Sequence, residues 1–154
     1  MGNIVAIGGG SNLPQIDGEI IKLTKKKRPR ALLIPTATYD RPEVYDGFQE
    51  RFGEGRGCET DVLYLLKDPP STRTIRKKVL TSDIIFVSGG NPLKMMRRWR
   101  KLGVDRILMQ AYRNQKVLCG VSAGAICWSA FGHSDSMGFY HPDNWDYIRV
   151  KALG

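Results

Sequence analysis

A serine flanked by glycines is the strongest chemical pattern in this sequence. The run Gly120-Val121-Ser122-Ala123-Gly124 follows an apolar segment and precedes an almost wholly apolar stretch. The pattern G-x-S-x-G between a strand and a helix is typical of the nucleophile elbow, in which a sharp turn lifts a serine hydroxyl above a sheet. The residues two before and two after the serine crowd one another in such a turn, so glycine is needed at both. We therefore predict that Ser122 is a nucleophile.

The neighbourhood of this turn also predicts where negative charge would be stabilised. Ala123 would place its backbone N–H at the amino end of the following helix, whose dipole favours a developing oxyanion. A second strand end, Ser88-Gly89-Gly90-Asn91, carries two glycines that let the backbone approach a ligand, or that simply form a strand-to-helix turn. Cys119 and Cys127 are poorer nucleophiles, because one lies within the expected strand and the other beyond the first helical turn.

A serine nucleophile needs a base within hydrogen-bond reach, and the sequence contains only two histidines, His133 and His141. We expect a helix over Ala123–Ala130, which would carry His133 about 15 Å from the serine at 1.5 Å per residue. The same helix would also carry Asp135 away from the serine, which is an argument against Asp135 as the acid of a catalytic triad. His141 lies in a loop that could return to the serine. His141 and Asp135 are therefore the candidates for base and acid within the chain.

The elements that must position these residues are strands alternating with amphipathic helices. Five apolar runs are continuous rather than alternating, which is typical of strands buried on both faces of a parallel sheet. Connections of roughly 17–28 residues fit helical crossovers between parallel strands. We predict a single α/β domain, a three-layer sandwich with a mostly parallel sheet, whose strands are Asn3–Ile7, Arg30–Pro35, Thr60–Leu66, Asp83–Ser88 and Lys116–Gly120.

Ligand sites in such sheets form at the carboxyl ends of the strands. The first strand ends in Gly8-Gly9-Gly10, but Leu13 stands where a dinucleotide fingerprint needs its third glycine, so we expect a tight turn facing a cleft. No metal-ligand spacing is present either. The sequence therefore predicts neither a metal nor a cofactor.

Composition excludes several classes of protein. The chain has 154 residues, of which 42% are apolar, enough for a packed core. Mean hydropathy is −0.30, and the longest uncharged stretch falls short of the roughly 20 apolar residues that span a bilayer. No secretory signal opens the chain, and three cysteines fit a reducing compartment, so we expect a soluble, cytoplasmic protein with no membrane partner.

The net charge of +9 raises the question of nucleic-acid binding. Basic residues cluster at Lys22–Arg30 and at Lys94–Lys101. On a helix, the second cluster separates from an apolar face containing Met96 and Trp99, which indicates a solvated basic face. No nucleic-acid-binding motif accompanies it. We expect only weak, salt-sensitive association with nucleic acid and no specific nucleic-acid partner.

Four segments together resemble the peptidase E and cyanophycinase family of serine peptidases: IVAIGGGSN, LLIPTAT (Leu32–Thr38), FVSGGNPLKM (Phe86–Met95) and CGVSAGA (Cys119–Ala125). The resemblance implies a flavodoxin-like, class I glutamine-amidotransferase-like fold. It implies that Ser122 is the acylated nucleophile and that the amides of Gly90 and Ala123 form the oxyanion hole. It also implies hydrolysis of peptides, often beside an aspartyl residue, without metal or cofactor.

The resemblance also implies something about the remaining members of a triad. In the family the base follows a segment that resembles Val150–Gly154, so we expect it beyond residue 154, in a domain 1–154 that is incomplete at its carboxyl end. An unpaired sheet edge would then favour a homo-oligomer. Two other functions remain open: a catalytically incomplete member or fragment that acts only as a binding domain, and an α/β-hydrolase esterase with the same serine turn.

Overall fold

A computed structural model describes residues 1–10, 14–143 and 145–154. Its centre is a five-stranded parallel sheet in the order β1-β5-β4-β2-β3. This confirms the predicted α/β architecture and all five strands. The strands are β1 (Asn3–Ile7), β2 (Arg30–Ile34), β3 (Glu59–Val62), β4 (Ile84–Val87) and β5 (Val117–Val121).

The third strand is shorter than the apolar run that predicted it. Pairing in register with β2 ends at Val62. Beyond that point the amides of Leu65 and Leu66 donate to the Asp40 carboxylate, at 2.7 and 2.6 Å, instead of extending the ladder. The apolar side chain of Leu65 remains in the core although its backbone has left the sheet.

Helices cover both faces of the sheet and complete the three layers. One core cluster packs α1 and α2 against one face, and a second packs α3, α4 and α5 against the other. A π-helical stretch, Gln49–Glu54, continues α2. These helices are α1 (Pro14–Leu23), α2 (Pro42–Phe48), α3 (Thr72–Thr81), α4 (Pro92–Leu102) and α5 (Val104–Arg113).

The helix after β5 is much shorter than expected. It spans only Ala123–Ile126 (α6), not Ala123–Ala130. The Ser129 hydroxyl oxygen lies 2.8 Å from the carbonyl oxygens of both Ile126 and Phe131, and its single hydrogen is shared between these two acceptors, which closes a turn. Gly132 then packs against Ile126 so closely that a Cβ there would lie 2.4 Å from the Ile126 Cγ2. The chain therefore reverses direction where we expected it to continue as a helix.

The reversed chain forms an antiparallel pair of strands, β6 (Phe131–Ser134) and β7 (Ile148–Lys151). Between them, the Ser136 hydroxyl accepts a 3.3 Å hydrogen bond from the Leu93 amide in the first turn of α4. The residues after β6 thus return to the amino end of α4. The helix-length argument against Asp135 and His133 was wrong for this reason.

None of the helices described in this structure is long and apolar enough to cross a bilayer.

Candidate active site

Ser122 occupies a strained, exposed turn at the carboxyl end of β5. Its backbone has φ 53° and ψ −111°, an unfavourable conformation for a residue with a side chain. Its amide donates to the Ile7 carbonyl of β1 at 2.8 Å, and its carbonyl accepts from the amides of Ala125 and Ile126 at 2.8 and 2.9 Å. Strained backbone persists only where the surroundings over-determine it, and such residues cluster at functional sites.

The two glycines of the motif are required by close packing. A Cβ at Gly120 would lie 2.6 Å from the Gly124 carbonyl oxygen, which confirms that the two positions crowd one another. A Cβ at Gly124 would lie 2.1 Å from the carbonyl oxygen of Val87, the last residue of β4. The turn that displays Ser122 can therefore form only with glycine on both sides.

The Gly89-Gly90 turn forms a second wall of the site. A Cβ at Gly89 would lie 3.5 Å from the Ser122 Cβ, so this backbone directly adjoins the serine. Gly90 has φ +117°, and a Cβ there would lie 2.2 Å from the Ala37 carbonyl oxygen. The sequence singled out both glycines as a place where the backbone could approach a ligand, and the family resemblance gave the oxyanion amide to Gly90.

Backbone donors beside Ser122 are unoccupied. In the part of the chain that the structure describes, no residue accepts a hydrogen bond from the N–H of Gly90 or Ala123. Ala123 is the first residue of α6, where amides lack partners within the helix. Because α6 has four residues, its dipole contributes less than the longer helix that we expected. Within the described residues, each of these two amides therefore keeps an unused hydrogen-bond donor.

A cavity of about 230 Å³ opens at the carboxyl ends of β2 and β4. The chain runs from β2 to β3 on one side and then crosses to β4 on the other, so these two strands mark the topological switch point, where ligands bind in sheets of this type. The Thr38 and Ser88 hydroxyls lie 3.2 Å apart at this cavity. The remaining lining is mostly apolar and comprises Leu33, Val44, Gly47, Phe48, Arg51, Phe86, Gly89 and Val121.

The charged group of this cavity, Arg51, is held in place from two directions. Its guanidinium donates to both carboxylate oxygens of Asp17, a side chain only 1% exposed, and the Nε contact measures 2.6 Å. It also lies over the rings of Phe52 and Phe86, at 5.2 and 5.4 Å. The Asp17 carboxylate compensates the charge of the Arg51 guanidinium. The cavity therefore contains a guanidinium in a fixed position but little net charge.

The structure does not bring the candidate partners of a triad into hydrogen bonding with the serine. His133 lies on β6, exposed and opposite Arg149, and His141 is exposed after the 3₁₀ turn Ser136–Phe139. Asp135 immediately precedes that turn. None of these three side chains hydrogen-bonds the Ser122 hydroxyl.

The cysteines are buried and remain protonated near neutral pH. Burial raises the pKa of Cys58 to about 11, an effect that the nearby Arg56 only partly offsets. Burial also raises the pKa of Cys119 and of Cys127 well above the ordinary value. Since the thiolate is the reactive form, these thiols are weak nucleophiles. Within the described residues, no group of three His, Cys, Asp or Glu side chains could hold a metal ion.

Fold and site define an α/β protein whose parallel sheet presents a serine on a strained, glycine-flanked turn. Residues 4–154 match Peptidase family S51, and the chain belongs to that family. It is 37% identical over 144 residues to the uncharacterized peptidase YgaJ of Bacillus subtilis, a match that covers 90% of this chain and 61% of that protein. It is 28% identical over 97 residues to the uncharacterized peptidase Lmo0363 of Listeria monocytogenes, covering 62% and 46% respectively.

Two solved structures share the fold. The crystal structure of a peptidase from an acI-B1 Actinobacterium superposes with a TM-score of 0.76 at 20% identity, covering all of this chain and 64% of that one. A putative peptidase E from Listeria monocytogenes superposes with a TM-score of 0.65 at 21% identity, covering 83% and 61%. The chain thus spans less than two thirds of the length of each of these relatives.

Proposed function

We propose that this protein is a serine peptidase that hydrolyses short peptides through an acyl-enzyme on Ser122. The observation that carries the proposal is the strained turn at Ser122, fixed between β1, β4 and α6. The Ser122 Oγ would attack the scissile carbonyl carbon, the amine would leave with a proton, and water would then hydrolyse the ester. The amides of Gly90 and Ala123 would donate to the oxyanion. Membership of Peptidase family S51 supports a serine peptidase.

Covalent labelling of Ser122 by a serine-directed reagent tests the proposal directly. An alkyl fluorophosphonate should phosphonylate Ser122 with loss of fluoride, and the adduct should be located by mass spectrometry of proteolytic fragments. Hydrolysis of aspartyl dipeptides should fall in proportion to the labelled fraction. Continued hydrolysis by fully labelled protein, or an adduct on another side chain that accounts for the lost activity, would refute the assignment.

The cavity at the switch point is the proposed site for the substrate side chain beside the scissile bond. It shares Gly89 with the serine turn and includes Val121, the residue before Ser122. Aspartyl peptides, the class implied by the resemblance, would place a carboxylate near Arg51. The apolar walls would favour a neutral side chain of similar size. A panel of dipeptides with aspartate, asparagine or leucine at this position shows whether the cavity prefers a carboxylate or a neutral side chain.

Filling the cavity at Gly47 should change substrate selection without harming the fold. A Cβ at Gly47 would meet nothing within 4 Å, and replacing a helical glycine favours α2. We expect Gly47→Leu to raise KM for peptides with a large side chain by about tenfold or more, with little effect on alanyl peptides. Steady-state kinetics across the dipeptide panel measures this.

Gly18→Leu is the matched control, since Gly18 lies in α1 and the nearest atom to a Cβ there is Nη1 of Arg56, 3.8 Å away. The control should leave KM unchanged for every peptide. An unchanged KM in Gly47→Leu as well would show that substrate does not enter this cavity.

A second function is favoured by one observation: neither His133 nor His141 forms a hydrogen bond to the Ser122 side chain. A domain 1–154 without a base would bind peptides and not cleave them. In that case the fluorophosphonate would fail to label Ser122 while peptide binding persisted. The serine turn alone is also compatible with an α/β-hydrolase esterase. The match to Peptidase family S51 favours a peptidase over that alternative.

A further inference from the structure

The basic face of α4 lines a cleft of about 390 Å³, completed by Leu66 and Tyr140. Its four cations, Lys94, Arg97, Arg98 and Lys101, follow the spacing i, i+3, i+4, i+7 and therefore form one stripe along the helix. The opposite face of α4 is buried in the core. We call the stripe and its surroundings the basic cleft.

Two of the four cations are held by uncharged groups. Arg98 donates from Nε to the Leu65 carbonyl oxygen at 2.5 Å and from Nη2 to that of Leu66 at 3.0 Å. The Lys94 ammonium lies 4.0 Å from the centroid of the Tyr39 ring. These contacts orient the side chains and leave their positive charges uncompensated.

The cations of the basic cleft differ in this respect from Lys26 and Lys78. Lys26 and Lys78 each form an ion pair with an aspartate, at 2.8 and 2.7 Å. Throughout the described ranges, no carboxylate forms an ion pair with any of the four cations of the cleft. Four like charges along two turns of helix repel one another, and an anionic ligand relieves that repulsion.

The helix that carries the basic cleft begins beside the proposed reaction site. Helix α4 starts directly after Gly89-Gly90, and Asn91 caps it by accepting a 3.0 Å hydrogen bond from the Lys94 amide. From Lys94 to Lys101 the helix rises about 10 Å, the length of about three residues of extended peptide. Alternate side chains of such a peptide lie about 6.6 Å apart on one side, close to the spacing of about 5–6 Å between neighbouring cations.

We propose that the basic cleft binds an acidic segment of a peptide, with carboxylates on alternate residues, while the scissile bond lies at Ser122. The proposal rests on the proposed peptidase function and adds a binding site separate from the cavity at the switch point. A peptide is favoured over a nucleic acid because the cationic stripe is only about two helical turns long, and the helix that carries it begins directly after Gly89-Gly90, the turn beside Ser122.

Fluorescence anisotropy with a labelled Asp-Ala-Asp-Ala-Asp peptide tests the proposal. The titration uses Ser122→Ala protein, so that turnover does not consume the probe. We expect saturable binding that weakens with added salt, and no binding of Asn-Ala-Asn-Ala-Asn. Adding Arg97→Ala and Lys101→Ala, both exposed positions, should raise Kd about tenfold or more.

Lys27→Ala with Arg28→Ala is the matched control, since it removes two exposed charges from the other basic cluster. It should change Kd by less than about twofold. An equal loss in the control would show that only net charge matters, and equal binding of the uncharged peptide would show that charge does not matter. Tighter binding of a single-stranded oligonucleotide of equal charge would identify a nucleic-acid surface instead. All three outcomes overturn the proposal.

Turnover separates this proposal from the peptidase assignment. If acidic peptide binds but the protein with Ser122 intact cleaves no peptide, the proposed peptidase function is refuted and the proposed binding of acidic peptide by the basic cleft is supported. If neutral dipeptides are cleaved but acidic peptide does not bind, only the proposed role of the basic cleft is refuted.

Discussion

Replacing Ser122 by alanine is expected to lower kcat for peptide hydrolysis by about 10⁴–10⁶-fold, the loss typical of removing a serine nucleophile. Without Oγ no acyl-enzyme forms, and the amides of Gly90 and Ala123 can assist only direct attack by water. Binding of peptide should change little, because the cavity and the basic cleft do not include the hydroxyl. Chromatographic assay of dipeptide cleavage, with the melting temperature as a check on folding, measures both effects.

The comparison needs a serine whose loss leaves the site intact. Ser71→Ala serves, because Ser71 caps α3 by accepting a 3.2 Å hydrogen bond from the Thr74 amide. It should cost about 1 kcal/mol of stability and leave kcat unchanged. The assay belongs in whichever form of the protein cleaves peptides, the 154-residue chain or a chain continued to the length of YgaJ. More than a tenth of wild-type kcat in Ser122→Ala would contradict the proposed mechanism.

The sheet could be predicted from the sequence because its strands are locally distinctive. Ile84–Val87 and Val117–Val121 are almost wholly buried, so each is a continuous apolar run that stands out from its flanks. The early end of β3 was harder to predict from the sequence. It depends on Asp40 binding the amides of Leu65 and Leu66, residues 25 and 26 positions away. A contact so distant in sequence leaves no local pattern.

Helix α6 shows the same limit at the site itself. The residues from Cys127 to Ala130 are mostly apolar, and this apolar run alone predicts that the helix continues. The Ser129 hydroxyl instead binds neighbouring carbonyl oxygens, and side chains of this kind offer the backbone an alternative to helix. That one misjudged boundary was the reason for disfavouring His133 and Asp135 as partners of the serine.

The serine turn was predictable where the cavity was not. Gly120, Ser122 and Gly124 lie within five residues, and the constraint between them is local. The cavity depends on β2 lying beside β4 and on Arg51 reaching Asp17, 34 residues away. The doubled glycine Gly89-Gly90 was visible at a strand end, but only the pairing of β4 with β5 places Gly89 against Ser122.

Replacing Gly124 by alanine is expected to destabilise the protein by about 3 kcal/mol or more, which corresponds to a fall of about 6–12 °C in melting temperature for a domain of this size. The added methyl group would lie 2.1 Å from the carbonyl oxygen of Val87, 2.7 Å from its carbonyl carbon and 3.0 Å from the Ser88 carbonyl oxygen. These are backbone atoms at the end of a central strand, so they cannot rotate away as a side chain would.

Relief of this clash would require α6 to separate from β4, which would also displace Ser122. Gly124→Ala should therefore lose both thermal stability and labelling by fluorophosphonate. Gly47→Ala is the control, since its Cβ meets no atom within 4 Å and should raise stability by up to about 1 kcal/mol. A melting temperature within about 2 °C of wild type in Gly124→Ala would mean that the turn accepts a Cβ. The glycine pair would then not be what fixes the serine above the sheet.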